Sequence, residues 1–232
     1  MTALIAAAVV FLAIHFLVSG TRLRDVITGR IGEGPYMGLF ALASVAALVW
    51  LGFAYAHARG GPGDTVYWSA TPATKWVQLA VTFAAFLLIV PGLLTPNPTS
   101  VRQEGVLDKG APTTGILRVT RHPFLMGVAL WAAGHILVNG DIASLVLFGA
   151  LLALGVVGPA SIDAKRERKL GPAWDAFAVQ TSVLPFGAIL AKRQHLALSE
   201  IGWWRLAVGV GVWGALVFAH PILFGASPLP GR

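Results

Sequence analysis

Residues 35–57 read PYMGLFALASVAALVWLGFAYAH, without a single aspartate, glutamate, lysine or arginine. A helix rises about 1.5 Å per residue, so about 20 apolar residues in sequence are enough to cross the hydrocarbon core of a bilayer. Five other segments of the chain are similarly apolar, at about 3–20, 76–94, 123–139, 142–160 and 203–222. The sequence therefore predicts an all-α fold, a polytopic transmembrane helix bundle of about six spans.

The composition of the whole chain supports a membrane protein. Of its 232 residues, 56% are hydrophobic and 12% are charged, whereas soluble domains carry about 25% charged residues. The chain contains no cysteine, which excludes disulfides, Fe–S clusters, thiolate metal sites and a cysteine nucleophile. No internal repeat or low-complexity segment divides it, so residues 1–232 are expected to form a single integral membrane domain.

The distribution of charge predicts the orientation of the bundle. Lysine and arginine number 17 against 10 acidic residues. If the N-terminus lies outside, 13 of these cations fall in loops that face the cytoplasm and three fall on the opposite side. The positive-inside rule then predicts a multi-pass protein of the cytoplasmic (inner) membrane with both termini outside. Because the cations are interleaved between spans, the bilayer is the expected partner and no nucleic acid is expected.

Two polar stretches separate the later spans. Residues 95–122 are rich in proline and glycine, which predicts an irregular connection. Residues 163–200 begin with a basic run and continue with Trp174 and Phe177, three positions apart and therefore on one face of a helix. Such a pattern predicts a cytoplasmic interfacial helix in the lipid headgroup layer, with closure of a pocket as the alternative.

His15 and His135 are the most unusual residues of the predicted spans. Lipid offers an imidazole no hydrogen-bond partner, so each ring is expected to face the bundle interior, a metal or a pocket. His15 is followed by Ser19 at helical spacing, and His135 lies between Trp131 and Asn139. Two neutral imidazoles from different helices would suit six-coordinate haem iron. Interhelical hydrogen bonds without a cofactor are the alternative.

Residues 115–123 read GILRVTRHP and lead directly into the fourth span. Proline is favoured at the first position of a helix, so a helix is expected to begin at Pro123. Its N-terminus, together with Arg118, Arg121 and His122, predicts a clamp for an anion such as a carboxylate, a phosphate, a haem propionate or a lipid headgroup. The alternative is that these residues only mark the cytoplasmic end of a span.

Several of these motifs occur together in one known family. GILRVTRHPFLMG at 115–127, Trp131 and His135, and TSVLPFGAI at 181–189 followed by Arg193-Gln194 resemble the NnrU family of membrane proteins. That family includes the 15-cis-zeta-carotene isomerases of plants and cyanobacteria. The resemblance extends over essentially the whole chain.

The resemblance implies a multispan membrane protein. In the isomerase branch it also implies a haem b held by two histidines, which by motif fall on His15 and His135, and the conversion of a cis double bond of a polyene to trans. His122 would be a further functional histidine, and Arg118 and Arg121 would hold the haem propionates or orient the substrate. Bacterial members are instead associated with denitrification, where they support nitrite and nitric oxide reductases.

The chain departs from the isomerase pattern in one respect, and the proposed ligands raise a question of geometry. The fifth span contains no histidine, whereas the isomerase branch carries more there. The rise of the helices also predicts an axial offset of about 10 Å between His15 and His135. If tilt does not close this offset, His122 becomes the better partner for His15.

Two other functions are kept as alternatives. Arg121-His122-Pro123, followed by the segment 167–177, distantly resembles the isoprenylcysteine carboxyl methyltransferases. That resemblance implies that Arg121 and His122 contribute to a pocket for S-adenosylmethionine, although the acidic pair of that pocket is reduced here to Glu167. The other alternative is a non-catalytic accessory protein for nitrite or nitric oxide reductase, in which the histidines only tie helices together.

Overall fold

A computed structural model describes residues 1–100, 103–109 and 113–231 of the chain. Arg102 and Arg232, two of the cations used to predict the orientation, lie outside the described residues. The described part is mainly helical, with one short antiparallel pair of strands. Its elements in chain order are α1 Thr2–Ala13, a π-helical turn Ile14–Val18, α2 Leu23–Ile31, α3 Glu33–Ala58, β1 Val66–Ser69, α4 Pro72–Leu94, a 3₁₀ turn Glu104–Lys109, α5 Ile116–Val119, α6 Pro123–Val138, β2 Asn139–Asp141, α7 Ile142–Leu170, α8 Pro172–Gln180, α9 Gly187–Leu190, α10 Leu198–Ile201 and α11 Trp203–Phe224.

Four helices of the described chain are long and apolar enough to cross a membrane, namely α3, α4, α7 and α11. A fifth span is present if α1 and the π turn are counted together with α2. Many apolar side chains on these helices face outward, as Phe53, Phe218 and Ile222 do, which suits a lipid environment. The prediction of about six spans is not confirmed, because α6 has 16 residues and reaches only about 24 Å of a hydrocarbon core of about 30 Å.

The first predicted span is broken rather than continuous. The helix bends by 76° between Thr2–Val18 and α2, so α2 lies much closer to the membrane plane than the span before it. Leu23, Val26 and Ile31 on α2 are exposed, and arginines accompany them at Arg22 and Arg24. This combination is typical of a helix that lies in the lipid interface.

The predicted interfacial segment around Trp174 is packed inside the protein. Trp174 is 3% exposed, and Phe177 is also buried. Both belong to a core cluster with Leu117 and Ile201. The helix α7 continues to Leu170, ten residues past the predicted end of the span, and the chain then turns and carries α8 back onto the protein. The prediction that Trp174 and Phe177 lie among lipid headgroups was therefore wrong, and α2 is the element with the interfacial pattern.

Helices α4, α6 and α7 pack closely because glycines lie where their backbones approach. A Cβ atom on Gly127 of α6 would lie 2.5 Å from Ile89 of α4, and one on Gly155 of α7 would lie 2.8 Å from Ala129 of α6. Both distances are shorter than the contacts that Cβ atoms make in real structures. These contacts hold α6 between its two neighbours.

The helix α7 also separates α1 from α6. Ala143 and Ala150 pack in a core cluster with Phe11 and its neighbours on α1. Phe148 instead contacts the rings of α6. Two positions along a helix correspond to a rotation of about 200°, so α1 and α6 contact different faces of α7.

The two ends of the bundle differ in chemistry. At one end β1 and β2 pair, with Val66 opposite Asp141 and Ser69 opposite Asn139; we call this the β end. The other end carries a cluster of cations, and we call it the basic end: Arg24, Lys165, Arg166, Arg168 and Lys169.

Candidate functional site

The arginine-histidine motif before α6 surrounds a carboxylate of the chain itself. Arg121 donates from Nη2 and Nε to Asp163 Oδ2, at 2.6 and 3.0 Å. His122 Nε2 lies 2.7 Å from Asp163 Oδ1, and because a carboxylate only accepts hydrogen bonds, Nε2 carries the hydrogen. His122 is 2% exposed. The three side chains therefore form a buried cluster that ties the start of α6 to α7.

The backbone around this motif is equally constrained. Arg121 N–H donates to the carbonyl of Ser182 at 2.9 Å, and its own carbonyl accepts from Asn97 Nδ2 and Thr99 Oγ1. The Thr120 hydroxyl donates to the carbonyl of Val183 at 2.6 Å. These bonds join two loops to the motif, so its arginine and histidine have fixed positions.

Arg118 has a carboxylate partner of its own. It donates from Nε and Nη2 to the two oxygens of Glu200, at 2.7 and 2.9 Å, and from Nη1 to Gln194 at 2.5 Å. The Arg118 guanidinium, assisted by Gly115 N–H, lowers the pKa of Glu200 from 4.5 to about 2. In this structure Arg118 and Arg121 pair with carboxylates of the chain itself, Glu200 and Asp163, and the clamp for a bound anion stays a prediction.

Burial affects the protonation of His122. Loss of hydration lowers the pKa of its imidazole, and the hydrogen bond to Asp163 opposes this effect without reversing it. His122 is therefore a neutral donor to Asp163 at neutral pH. Its geometry supports a positioning role for the start of α6.

His15 lies on the π-helical turn, where it lines a cavity of about 480 Å³ that we call cavity 1. Its Nδ1–H donates to Phe11 O at 2.8 Å, so Nε2 is the ring atom left for the cavity. Single π-helical turns are frequent at functional sites. The inner wall of cavity 1 is apolar and partly aromatic, formed by Phe16, Tyr36, Met37, Phe40, Phe124, Leu125 and Leu154.

The mouth of cavity 1 is polar and lies at the basic end. All five cations that define this end line it, together with Asp25 and Glu33. Lys165 donates to Ser19 O at 2.9 Å, which fastens α7 to the chain just after the π turn. Cavity 1 thus combines an apolar interior with a cationic mouth.

His135 lines a different cavity, at the β end, which has a volume of about 470 Å³ and which we call cavity 2. Its Nδ1–H donates to Trp131 O at 2.8 Å, and its ring stacks on Phe148 at 4.8 Å. Cavity 2 is more polar than cavity 1, and its lining includes Asp64, Asp141, Asn139, His220 and Lys75.

The predicted pairing of His15 with His135 is not found among the described residues. The two imidazoles line separate cavities, and α7 lies between the helices that carry them. His135 stacks on Phe148 of α7, whereas the residues of α7 that line the cavity of His15 begin at Leu154, about 9 Å further along that helix. One haem iron with both histidines as ligands does not fit this arrangement.

The other predicted ligand sets do not meet either. His122 is held by Asp163, and neither His122 nor Arg121 lines cavity 1 or cavity 2. In the part of the chain that the structure describes, three or more histidine or acidic residues do not come together as a metal site would require. Whether haem or S-adenosylmethionine binds elsewhere stays a prediction.

Asp163, Lys165 and Tyr36 are the residues of these sites that the sequence did not single out. Asp163 lies three positions past the predicted end of its span, at the start of the predicted cytoplasmic stretch 163–200. The available signal was the motif itself, since a buried arginine and histidine need an acidic partner. The sequence does not indicate which acid that is.

Comparison with known proteins identifies the family. The family model described as "NnrU protein" matches residues 3–228. The chain belongs to the NnrU family. This NnrU-family chain is 26% identical over 217 residues to the chloroplastic 15-cis-zeta-carotene isomerase of Arabidopsis thaliana, covering 88% of this chain and 56% of the relative. It is 28% identical over 228 residues to the chloroplastic 15-cis-zeta-carotene isomerase of Zea mays, covering 94% of this chain and 60% of the relative.

These comparisons confirm the resemblance read from the motifs. The chain spans less than two thirds of the length of the curated relatives that it matches. No solved structure matches it.

Proposed function

We propose that this NnrU-family chain is a membrane isomerase that converts a cis double bond of a polyene to trans, and that cavity 1 is its site. The names of its relatives support the reaction class, since both are 15-cis-zeta-carotene isomerases. The observation that carries the choice of site is His15, the polar group of a π-helical turn, which lines a cavity with an aromatic inner wall. Apolar pockets with few polar groups are the usual form of such binding sites.

The proposed reaction requires no covalent bond between the protein and the polyene. Rotation from cis to trans exchanges no atoms with the surroundings, so the site has to hold the polyene and weaken one double bond. The bound polyene would lie along the apolar wall of cavity 1, which is formed by Phe16, Phe40 and Phe124. Aromatic rings can also stack against the planar polyene and hold it in place.

His15 has the polar role at this site. The hydrogen bond from Nδ1 to Phe11 O fixes its tautomer and ring orientation, and Nε2 is then the atom that acts on the reacting bond or ligates a metal. A haem held by both predicted ligands does not fit, because His15 and His135 do not share a cavity. Haem binding by the chain stays a prediction.

The test is isomerisation of 15-cis-zeta-carotene by protein expressed with haem supplied and reconstituted in lipid, followed by chromatography of the cis and trans products. We expect turnover by the wild type and a loss of roughly 100-fold or more in His15→Leu, as for loss of a positioned catalytic group. The matched control is His135→Leu, which changes the same residue type in cavity 2 and should retain most of the activity.

Two results would overturn this proposal. Unchanged turnover in His15→Leu would remove cavity 1 from the reaction. Equal loss in His15→Leu and His135→Leu would restore the two-histidine site, and a Soret absorption band abolished by either substitution would identify it as a haem site.

Two other predicted functions have less support. The methyltransferase alternative needs Arg121 and His122 in a cofactor pocket, and both are instead held by Asp163. A role as an accessory protein in denitrification stays a prediction. If the protein has that role, the variants His15→Leu and His135→Leu should still fully support nitrite or nitric oxide reductase activity in cells.

A further inference from the structure

The mouth of cavity 1 carries a net positive charge. Five cations line it against two acids, Asp25 and Glu33. Glu33 pairs with Arg24 at 2.7 Å and lies 3.9 Å from Lys169. Lys165 is half-buried and donates to the neutral oxygens of Ser19. The two acids therefore neutralise only part of the positive charge of the mouth, and an anionic ligand would neutralise more of it.

Tyr36 provides a second and independent indication of a ligand. It lines cavity 1 and is 4% exposed, and its hydroxyl makes no hydrogen bond within the described residues. A buried hydroxyl without a partner is costly, so native structures rarely leave one unsatisfied. Its ring lies 5.5 Å below the guanidinium of Arg24. The hydroxyl is therefore buried beside the cationic mouth, where it can donate to an acceptor held by the cations.

The position of the cavity indicates where the ligand comes from. The helix α2 bends by 76° from the first span and carries the interfacial pattern of exposed leucine, valine and arginine. Arg24 and Asp25 of this helix form part of the mouth, so the mouth lies near the level of lipid headgroups. From there the wall becomes apolar at Phe40 and Phe124, and Phe124 is itself exposed.

We propose that the mouth of cavity 1 binds an anionic phospholipid, whose headgroup phosphate accepts a hydrogen bond from Tyr36 and is paired by Lys165 and Arg168, while the first part of an acyl chain lies against Phe40 and Phe124 whenever the polyene does not occupy them. The charge of the mouth, the unsatisfied hydroxyl and the apolar wall each fit one part of such a molecule. The proposal does not depend on isomerase activity. It would stand for a chain that isomerises nothing.

The test is lipid retention by the purified full chain in native mass spectrometry, comparing phosphatidylglycerol with phosphatidylcholine of the same acyl chains. We expect one phosphatidylglycerol per chain to be retained in preference to phosphatidylcholine. The informative variants are Tyr36→Phe, which removes only the donor, and the double variant Lys165→Gln/Arg168→Gln. The double variant should weaken binding by roughly tenfold or more, and Tyr36→Phe should weaken it by several-fold.

Each variant has a matched control outside the cavity. Tyr67→Phe removes an exposed tyrosine hydroxyl on β1, and Arg30→Gln/Lys192→Gln removes two exposed cations that do not line cavity 1. Both controls should retain the lipid. Melting temperatures of all variants, recorded in the same detergent, show that each is folded.

Three outcomes would overturn the proposal. The first is equal retention of the two lipids by the wild type. The second is an equal loss in the cavity double variant and its control, which would indicate attraction to the basic end as a whole. The third is displacement of the lipid by glycerol phosphate at equal concentration, which would make a soluble phosphate the ligand. Because no outcome involves turnover, failure here is distinguishable from failure of the isomerase proposal.

Discussion

Asp163→Asn is expected to be the most destabilising conservative substitution in the buried motif before α6. Asp163 accepts hydrogen bonds from both Arg121 and His122, and the side chains of Arg121 and Asp163 are only 14% and 17% exposed. Removing one partner of a buried ion pair leaves the other charge uncompensated and costs about 3–5 kcal/mol. For a chain of this size 1 kcal/mol corresponds to roughly 2–4 °C. The melting temperature should therefore fall by about 6–20 °C.

The assay is thermal unfolding in one detergent, followed by tryptophan fluorescence, with Asp25→Asn as the matched control. Asp25 is also a carboxylate near an arginine, at 3.6 Å from Arg24, but its side chain is 55% exposed. Its loss should cost less than about 1 kcal/mol. The double variant Arg121→Met/Asp163→Leu removes both charges and should recover much of the stability. If Asp163→Asn melts within the range of the control, the buried cluster is not a stabilising element and the reasoning fails.

Three further predictions concern packing and electrostatics, all measured by thermal unfolding. Gly127→Ala should lower the free energy of unfolding by about 1–3 kcal/mol, because α4 leaves no room for the added methyl group. Gly149→Ala should be neutral or slightly stabilising, because an added Cβ there meets nothing within 4 Å. Equal effects of the two substitutions would contradict the close helix packing. Trp174→Ala should lower the free energy of unfolding by about 3–5 kcal/mol, because it removes a buried ring. Trp203→Ala, at an exposed position, should change it by less than about 0.5 kcal/mol. The reverse order would restore the interfacial assignment of α8. Arg118 holds the pKa of Glu200 at about 2, below its ordinary 4.5. The wild type should therefore be more stable than Glu200→Gln at pH 7, and this difference should shrink as the pH falls below 4.5 towards 2. A difference that persists at pH 2 would contradict the ion pair.

The sequence predicts well what depends on local pattern. A run of apolar residues identifies α3, α4, α7 and α11, and Pro123 marks the start of α6 where the structure has it. In each case the physical cause lies within one helical segment.

What the sequence does not predict depends on contacts between segments. The fifth span is predicted to end at residue 160 and the basic run after Asp163 to begin an interfacial segment, but α7 continues through it because its first turns pack on α6 and its last on α8. Trp174 follows this run in a pattern that fits lipid as well as protein. Only the turn at Gly171 decides that α8 folds back onto the core.

The separation of the two histidines has the same origin. Helical rise predicts an axial offset of about 10 Å between them, and in the structure they line different cavities. Their rotation about the bundle is set by which face of α7 each neighbouring helix contacts, and that depends on small residues such as Ala150 and Gly155. Periodicity within α1 or α6 holds no information about it.

Cavity 1, and not cavity 2, is the site proposed for the polyene, and cysteine protection distinguishes the two cavities. The chain has no cysteine of its own, so Ser19→Cys in cavity 1 and Ser69→Cys in cavity 2 each introduce one nearly isosteric thiol. The measurement is the rate of maleimide labelling in lipid, with and without 15-cis-zeta-carotene. We predict that the polyene slows labelling of Ser19→Cys and leaves Ser69→Cys unchanged; protection at Ser69→Cys alone would contradict the account.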